Sequence, residues 1–372
     1  MVDVLIGDLF ESKAQTLVNT VNCVGVMGKG VALEFKKRFP DMFDDYVLRC
    51  RRGEVSLGRP YLYRRLLSPW VLNFPTKDHW RSLARLDSIV DGLEHVLEHY
   101  RAWGITSLAI PPLGCGEGQL EWRVVGPLLY MALRRLEIQV EMYAPYGTPP
   151  EQLDLAFLTQ EARSARQYRL PSWLQPGWVA LVEILRRLQD QPYHYPIGRT
   201  IFQKIAYVAT QEGLPTGLTY QRGSYGPFAP GLRALETWLL NSQMLVERQM
   251  GRMFSIQVGP AFEHVRSANV ADLARWAATI ERVVDLFLRM DTREAELAAT
   301  VLFASRSLSG GGVYKPSEQD VVGEVLDWKQ RRRPAFDEAS VALTVRNLAA
   351  LGWLDVRASP DLKLHEHEAL YG

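Results

Sequence analysis

Cysteine is scarce in this chain: Cys23, Cys50 and Cys115 are the only three among 372 residues. An odd number without a C-x-x-C pair speaks against a disulfide framework or a cysteine zinc site and favours a reducing compartment. No positively charged leader with an apolar core opens the sequence, and no apolar run reaches ~18 residues. A cytoplasmic protein without a membrane span is expected. An excess of one charge is also lacking: 43 Lys+Arg against 42 Asp+Glu leave a net charge of +1. No global basic field advertises nucleic acid, so any DNA contact must rely on local patches. No Gly-Lys-Ser/Thr ending completes a Walker A loop and no dinucleotide fingerprint occurs, which speaks against magnesium-dependent nucleotide hydrolysis and hydride chemistry. His365-Glu366-His367 has the wrong spacing for paired helical ligands, so no metal and no cofactor are expected.

What the chain does have is a globular balance, with 47% hydrophobic and 23% charged residues, enough to bury full cores in two or three domains. The first half alternates strand and helix. Val2 to Ile6, Thr16 to Val21, Tyr61 to Tyr63, Trp70 to Phe74, Ile105 to Ile110 and Ile138 to Ala144 read as strands. Val31 to Arg38, Arg81 to Trp103 and Glu121 to Arg135 read as helices. That order predicts a sheet between helical layers, with ligand loops at the carboxyl ends of the strands. Two of those loops are glycine-rich. Asn19-Thr-Val-Asn-Cys-Val-Gly-Val-Met-Gly-Lys-Gly30 runs from strand to helix, and so does Pro111-Pro-Leu-Gly-Cys-Gly-Glu-Gly-Gln119. Glycines let backbone N–H groups approach an anion, and a following helix N-terminus adds free donors and a favourable dipole. Either loop alone is equally a tight turn; together they suit a diphosphate gripped from two sides.

Gly7-Asp8-Leu9 after the first strand, Asn19-x-x-Asn22 before the first loop, and Pro112-Leu113-Gly114-Cys115-Gly116 in the second resemble a macrodomain, over about residues 1–147. The resemblance implies a three-layer α/β/α fold with a mixed sheet that binds ADP-ribose. Met27-Gly28-Lys29-Gly30 and Phe74-Pro75-Thr76-Lys77-x-His79-Trp80-Arg81 are similar to the macrodomains of DarG-type antitoxins, a branch that removes ADP-ribose through a lysine.

This resemblance assigns roles that the residues alone leave open. Asp8 by itself is a turn aspartate; the family places it on the adenine amino group, with Leu9 beside it. Asn22 is a turn residue or a ribose contact, and Asn19 is read as a brace of the loop through backbone hydrogen bonds. Gly28, Lys29 and Gly30 in the first loop and Gly114, Cys115, Gly116, Glu117 and Gly118 in the second are assigned to ADP-ribose. Lys77 is a solvated lysine on ordinary grounds and the catalytic amine by resemblance. A neutral amine attacks carbonyl-like centres, and the neighbouring charge of His79 and Arg81 favours the neutral form. Related hydrolases pair this lysine with an aspartate where Gly118 stands, leaving Glu117 as a substitute or no carboxylate partner at all. His79, Trp80 and Arg81 form a nucleic-acid-facing cluster, or Trp80 packs on the following helix.

Residues 148–176, with prolines at 149, 150, 171 and 176, read as a linker. From 177 to 372 the chain reads as mainly helical. Trp178 to Leu188, Gly198 to Gln211 and Pro230 to Leu240 precede a hairpin around Met250-Gly251-Arg252, the order of a winged helix to about 260. Helices at Val270 to Arg289, Glu294 to Ser307, Val321 to Arg331 and Glu338 to Leu351 follow. Arg331-Arg332-Arg333 reads as an exposed helix end. Phe202 to Tyr207 and Arg222 to Phe228 resemble SocA-like antitoxin domains and the DarG C-terminal region. The resemblance implies an antitoxin that hydrolyses ADP-ribose from thymidine in single-stranded DNA and binds a DarT-type toxin. The alternative is a non-catalytic ADP-ribose-binding module that acts only through the toxin.

Overall fold

The computed structural model describes residues 1–159, 174–251, 253–310 and 314–362. It divides into two compact units: the residues up to the end of the first described stretch together with Ala234–Ser242, and the remainder from 174 onward. Residues 160–173 of the expected linker and the His365-Glu366-His367 tail lie outside the described residues.

The first unit is built on a six-stranded sheet in the order β1-β6-β5-β2-β4-β3. The strands are β1 (Val2–Leu5), β2 (Thr16–Asn22), β3 (Tyr61–Tyr63), β4 (Trp70–Lys77), β5 (Ser107–Ile110) and β6 (Gln139–Tyr143). All neighbours run parallel except β3, which is antiparallel to β4, so the sheet is mixed. Alternate residues point to opposite faces. Val18, Leu72, Phe74, Leu108, Ile110, Val140 and Met142 meet the apolar sides of α3 (Leu86–His99) and α4 (Trp122–Leu133). Leu17, Val21, Val71, Ala109 and Tyr143 meet α1 (Gly30–Arg38) and α2 (Pro40–Arg51). The result is three layers, with the central strands buried on both faces.

Three differences from the sequence reading matter. α2 is an additional helix, started by Pro40 at its first position and separated from α1 by Phe39. α3 begins at Leu86 rather than Arg81. Finally, the start of the expected linker folds onto the core: α5 (Leu155–Leu158) packs on α4, Leu158 is fully buried, and Trp122 Nε1 donates to the Gln152 carbonyl at 3.3 Å.

The second unit is largely helical. α6 (Pro176–Gln189) and α7 (Arg199–Gln211) lead to a small antiparallel ladder of β7 (Gln221–Gly223) and β8 (Gly226–Phe228). α8 (Pro230–Asn241), which from Ala234 onward is grouped with the first unit, comes next in the chain, and β9 (Leu245–Met250) pairs with β10 (Met253–Val258) as the expected hairpin. α9 (Phe262–Ala268) precedes the single helix expected over 270–289, which is broken at Trp276 into α10 (Val270–Arg275) and α11 (Ala277–Phe287). α12 (Thr292–Ser309) and α13 (Glu318–Trp328) each open with a capping box, and α14 (Glu338–Ala350) is capped by Asp337. No helix among the described residues is long and apolar enough to cross a membrane.

A buried ionic cluster organises this unit. Glu296 accepts from Lys329 Nζ at 2.8 Å and from Arg332 Nη2 at 3.1 Å, so Arg332 turns inward rather than forming an exposed helix end. Lys329 Nζ also donates to the Ser224 carbonyl at 2.8 Å, and the fully buried Lys204 Nζ donates to the Pro227 carbonyl at 2.7 Å. Burial, reinforced by the charge of Lys329 and opposed by Glu296, lowers the Lys204 pKa to about 7. The unfolded chain holds that proton up to its ordinary 10.5. Between pH 7 and about 8, below the range in which the unfolded thiols ionise, the unfolded state therefore binds more protons through this lysine, and stability rises with pH. Chemical denaturation at a series of pH values is expected to show that rise, and Lys204→Met to flatten it. A wild-type midpoint that falls across this window would contradict the assignment.

Candidate active site

Because β5, β2 and β4 are adjacent and parallel, their carboxyl ends open side by side on one edge of the sheet. The first glycine loop leaves β2, the second leaves β5, and Lys77 closes β4. Three hydrogen bonds join these exits. Cys23 N donates to the Asp78 carbonyl at 3.2 Å, Ala84 N to the Gly118 carbonyl at 3.3 Å, and Lys77 Nζ to the Glu117 carbonyl at 2.5 Å. Lys77 is thereby held against the second glycine loop, with β2 lying between its own strand and β5.

The first loop is shaped by Asn22. Its Oδ1 accepts from Val24 N at 3.0 Å, Val26 N at 3.4 Å and Tyr46 Oη at 3.0 Å, while Nδ2 donates to the Val26 carbonyl at 2.5 Å. Tyr46, fully buried on α2, shares its single hydroxyl proton between Asn22 Oδ1 and the Asn22 carbonyl, 2.9 Å away. Gly25 turns the loop at φ +80°. Among the described residues, the amides of Gly28, Lys29 and Gly30 have no backbone acceptor. α1 starts with neither a side-chain cap nor an acidic residue in its first turn. A row of N–H groups thus faces outward at a helix N-terminus, the donor arrangement an anion requires. Lys29 is exposed beside it. The bracing work expected of Asn19 falls to Asn22. Asn19 is buried in the sheet, where its Nδ2 donates to Asn73 Oδ1 at 2.9 Å and touches Met27 Sδ at 3.9 Å. Its link to the loop is through a side chain, not the backbone.

The second loop folds back on itself: Leu120 N donates to the Gly114 carbonyl at 3.0 Å and Gln119 N to the Gly116 carbonyl at 3.0 Å. Gly114 sits at φ +75°, and a Cβ there would lie 2.6 Å from Leu120 Cδ1. Gly118 is tighter still. A Cβ on it would stand 2.7 Å from Ala84 Cβ and 2.8 Å from Gly114 Cα, and would collide with the Gly114 carbonyl oxygen. The amides of Gly116, Glu117 and Gly118 have no backbone acceptor among the described residues. Glu117, considered as a substitute carboxylate, meets Lys77 through its main-chain carbonyl. Cys115 is half-buried, and burial pushes its thiol up to about 12. Burial, with Cys50 and Asp78, does the same to Cys23, so neither supplies a thiolate near neutrality.

Around this edge lie the remaining residues. One oxygen of Asp8 caps the short turn Leu9–Glu11 by accepting from Phe10 N at 2.9 Å, and the carboxylate is exposed. Leu9 points into the core against α1 and offers only its main chain. Asp78 to Ala84 form a turn rather than the first turn of α3. There His79 stacks on Trp80 with ring centroids 5.5 Å apart, and Arg81 Cζ lies 4.5 Å from the Trp80 ring centre. Trp80 is 48% exposed, so it does not pack away against α3. Burial and then the charge of Arg81 push His79 below the ordinary histidine range, against the opposing pull of Asp78, which leaves it a neutral ring near pH 7. Two residues that shape the site escaped the sequence reading. Tyr46 lies on the unexpected α2, signalled by Pro40 and the spacing of Met42, Phe43, Tyr46 and Val47. Ala84, the wall behind Gly118, carried no signal.

Residues 18–129 match the Macro domain family model, and the first unit is a macrodomain. The chain has DarG homologues. It is 37% identical over 230 residues to a DNA ADP-ribosyl glycohydrolase of Thermus aquaticus, covering 61% of this chain and 60% of that protein. It is 42% identical over 172 residues to a DNA ADP-ribosyl transferase–DNA ADP-ribosyl glycohydrolase fusion protein of Thermosipho africanus, covering 41% of this chain and 44% of that one. The solved macrodomain of Mycobacterium tuberculosis DarG is 44% identical, over 39% of this chain and 98% of that chain, with a TM-score of 0.38. The chain thus spans about 60% of the length of the Thermus aquaticus relative.

Proposed function

We propose that this protein is an ADP-ribosyl hydrolase that releases ADP-ribose from thymidine in single-stranded DNA. The observation that carries the reading is the placement of Lys77 Nζ, 2.5 Å from the Glu117 carbonyl on the second of two glycine loops with open amides. A diphosphate seated on those amides leaves one ribose on the Asp8 side, where the second carboxylate oxygen meets the adenine amino group. The distal ribose then lies toward Lys77. Asn22, with most of its amide occupied by the loop, contributes one remaining Nδ2 hydrogen to a ribose hydroxyl.

In the proposed reaction the Lys77 amine engages the anomeric carbon as the bond to the base nitrogen breaks. That nitrogen takes up a proton, and water supplies the hydroxyl that the freed ADP-ribose carries. The names of the Thermus aquaticus and Thermosipho africanus relatives support this chemistry. Incubation with ADP-ribosylated single-stranded DNA is expected to release ADP-ribose; tight binding without release would leave a non-catalytic reader.

The His79–Trp80–Arg81 stack supplies a surface for the nucleic acid: a flat ring for a base and a guanidinium for a phosphate. Trp80→Ala is expected to weaken binding of modified DNA by about tenfold or more, the usual worth of one stacked base, while free ADP-ribose binds as before. Equal loss for both ligands would place Trp80 in the fold instead. For the second unit we propose neutralisation of a DarT-type transferase, supported by the fused arrangement of the Thermosipho africanus relative. Co-expression is expected to yield a complex that survives deletion of the first unit's activity by Lys77→Ala.

A further inference from the structure

α3 ends in two imidazoles that the hydrolase reading does not use. His95 and His99 stand four residues apart on one helical face with Glu98 beside them, and one ligand atom from each lies within 4.8 Å of the others. The two rings are 4.1 Å apart between centroids. Trp103 lies against both, 5.6 Å from His95 and 5.4 Å from His99. The helix therefore fixes the spacing, and the indole limits ring rotation. His99 Nδ1 is 2.8 Å from the His95 carbonyl. That nitrogen must carry the proton and donate, which leaves Nε2 with its lone pair outward, the usual second-sphere arrangement of a metal-binding histidine.

We infer that His95, Glu98 and His99 form a site for a zinc-class divalent ion, with two imidazole nitrogens, one carboxylate oxygen and an open position for water. A borderline-soft ion suits this mixed nitrogen and oxygen set, whereas calcium or magnesium would want oxygen ligands throughout. Other charged groups on this face define the competition. Glu94 is engaged with Arg135 at 2.6 Å. Arg59 Nη1 lies 3.2 Å from His95 Nδ1. It obstructs an ion at Nδ1, and it opposes one at Nε2 because Nδ1 must then carry a proton. The Arg59 guanidinium is exposed and makes no other hydrogen bond among the described residues, so it turns away at little cost. The site lies at the opposite end of α3 from the turn that carries His79 to Arg81, roughly 20 Å along the axis at ~1.5 Å per residue. Its ion stabilises the macrodomain and takes no part in hydrolysis.

The test is calorimetric titration of zinc into the metal-stripped full chain carrying His365→Ala and His367→Ala, so that the tail contributes no ligands. One zinc per chain is expected, with a thermal midpoint that rises with zinc concentration. His99→Phe keeps a ring on Trp103 and is expected to weaken binding at least 100-fold; Glu98→Gln weakens it less, and Arg59→Ala tightens it several-fold. ADP-ribose release should be unchanged by zinc or by His99→Phe. Absence of stoichiometric binding, or binding indifferent to His99→Phe, would show that the two imidazoles serve only to pack against Trp103 and would overturn the site.

Discussion

Lys77→Ala is expected to lower ADP-ribose release from modified single-stranded DNA by about 10³-fold, in the range that a positioned proton-transfer or nucleophilic group contributes, while ADP-ribose affinity changes little. The split follows from where the amine sits. Lys77 bonds to the carbonyl side of the second loop, and the proposed diphosphate donors are the open N–H groups of Gly28 to Gly30 and Gly116 to Gly118. Removing the side chain leaves those donors in place. Lys77→Arg should not restore turnover, because a guanidinium stays charged and cannot act as a neutral amine. Calorimetry with ADP-ribose and an end-point release assay on the same preparation check both halves. Wild-type turnover in the alanine variant would remove the mechanism; loss of binding together with turnover would assign Lys77 to holding the loop.

Gly118→Asp carries the second large effect. Related hydrolases place an aspartate at this position, so the resemblance alone would suggest a harmless or improving change. The packing argues the reverse. Any Cβ at 118 meets Ala84 and the backbone of Gly114, which cannot swing aside as a flexible side-chain end would. Overpacking of this kind typically costs about 1–3 kcal/mol, and relief requires the second loop to move, taking the Glu117 carbonyl and the open amides with it. The expected result is a lower thermal midpoint, ADP-ribose affinity reduced by roughly 100-fold or more (about 2.7 kcal/mol), and no gain in turnover. Gly116→Ala is the control for stability, since nothing lies within 4 Å of a Cβ there. A stable and faster Gly118→Asp enzyme would show that a carboxylate can take over from the carbonyl.

The parts of the site that rest on local pattern were legible in the sequence. β2, its glycine loop and the helix behind it follow from a β-branched apolar run ended by glycines, and the alternation of strands with helices along the chain foretold a sheet covered on both faces. β4 was read three residues short because Pro75 suggests a strand end. Proline is tolerated there because the pairing of β4 with β2 turns irregular just beyond Val21, its partner, and β3 reaches only Val71 to Asn73. α2 was missed because one residue, Phe39, separates it from α1 and the two read as helix and remainder. The employment of Asn22 could not be read at all. Its hydroxyl partner Tyr46 stands 24 residues further along the chain, and only the packed layers bring the two together. Space is equally silent in sequence: Gly118 looks like any loop glycine until Ala84 is placed against it.

The paired lysines of the second unit have a consequence for recognition. Lys329 and Lys204 grip the carbonyls of Ser224 and Pro227 on either side of Tyr225, which is 66% exposed at the tip of that turn. The aromatic tip stands on a clamped mount, its backbone freedom already surrendered when the chain folds. A macromolecule that meets this ring would lose less conformational entropy than it would on ordering a loose loop, so the turn can add to affinity out of proportion to the area it covers.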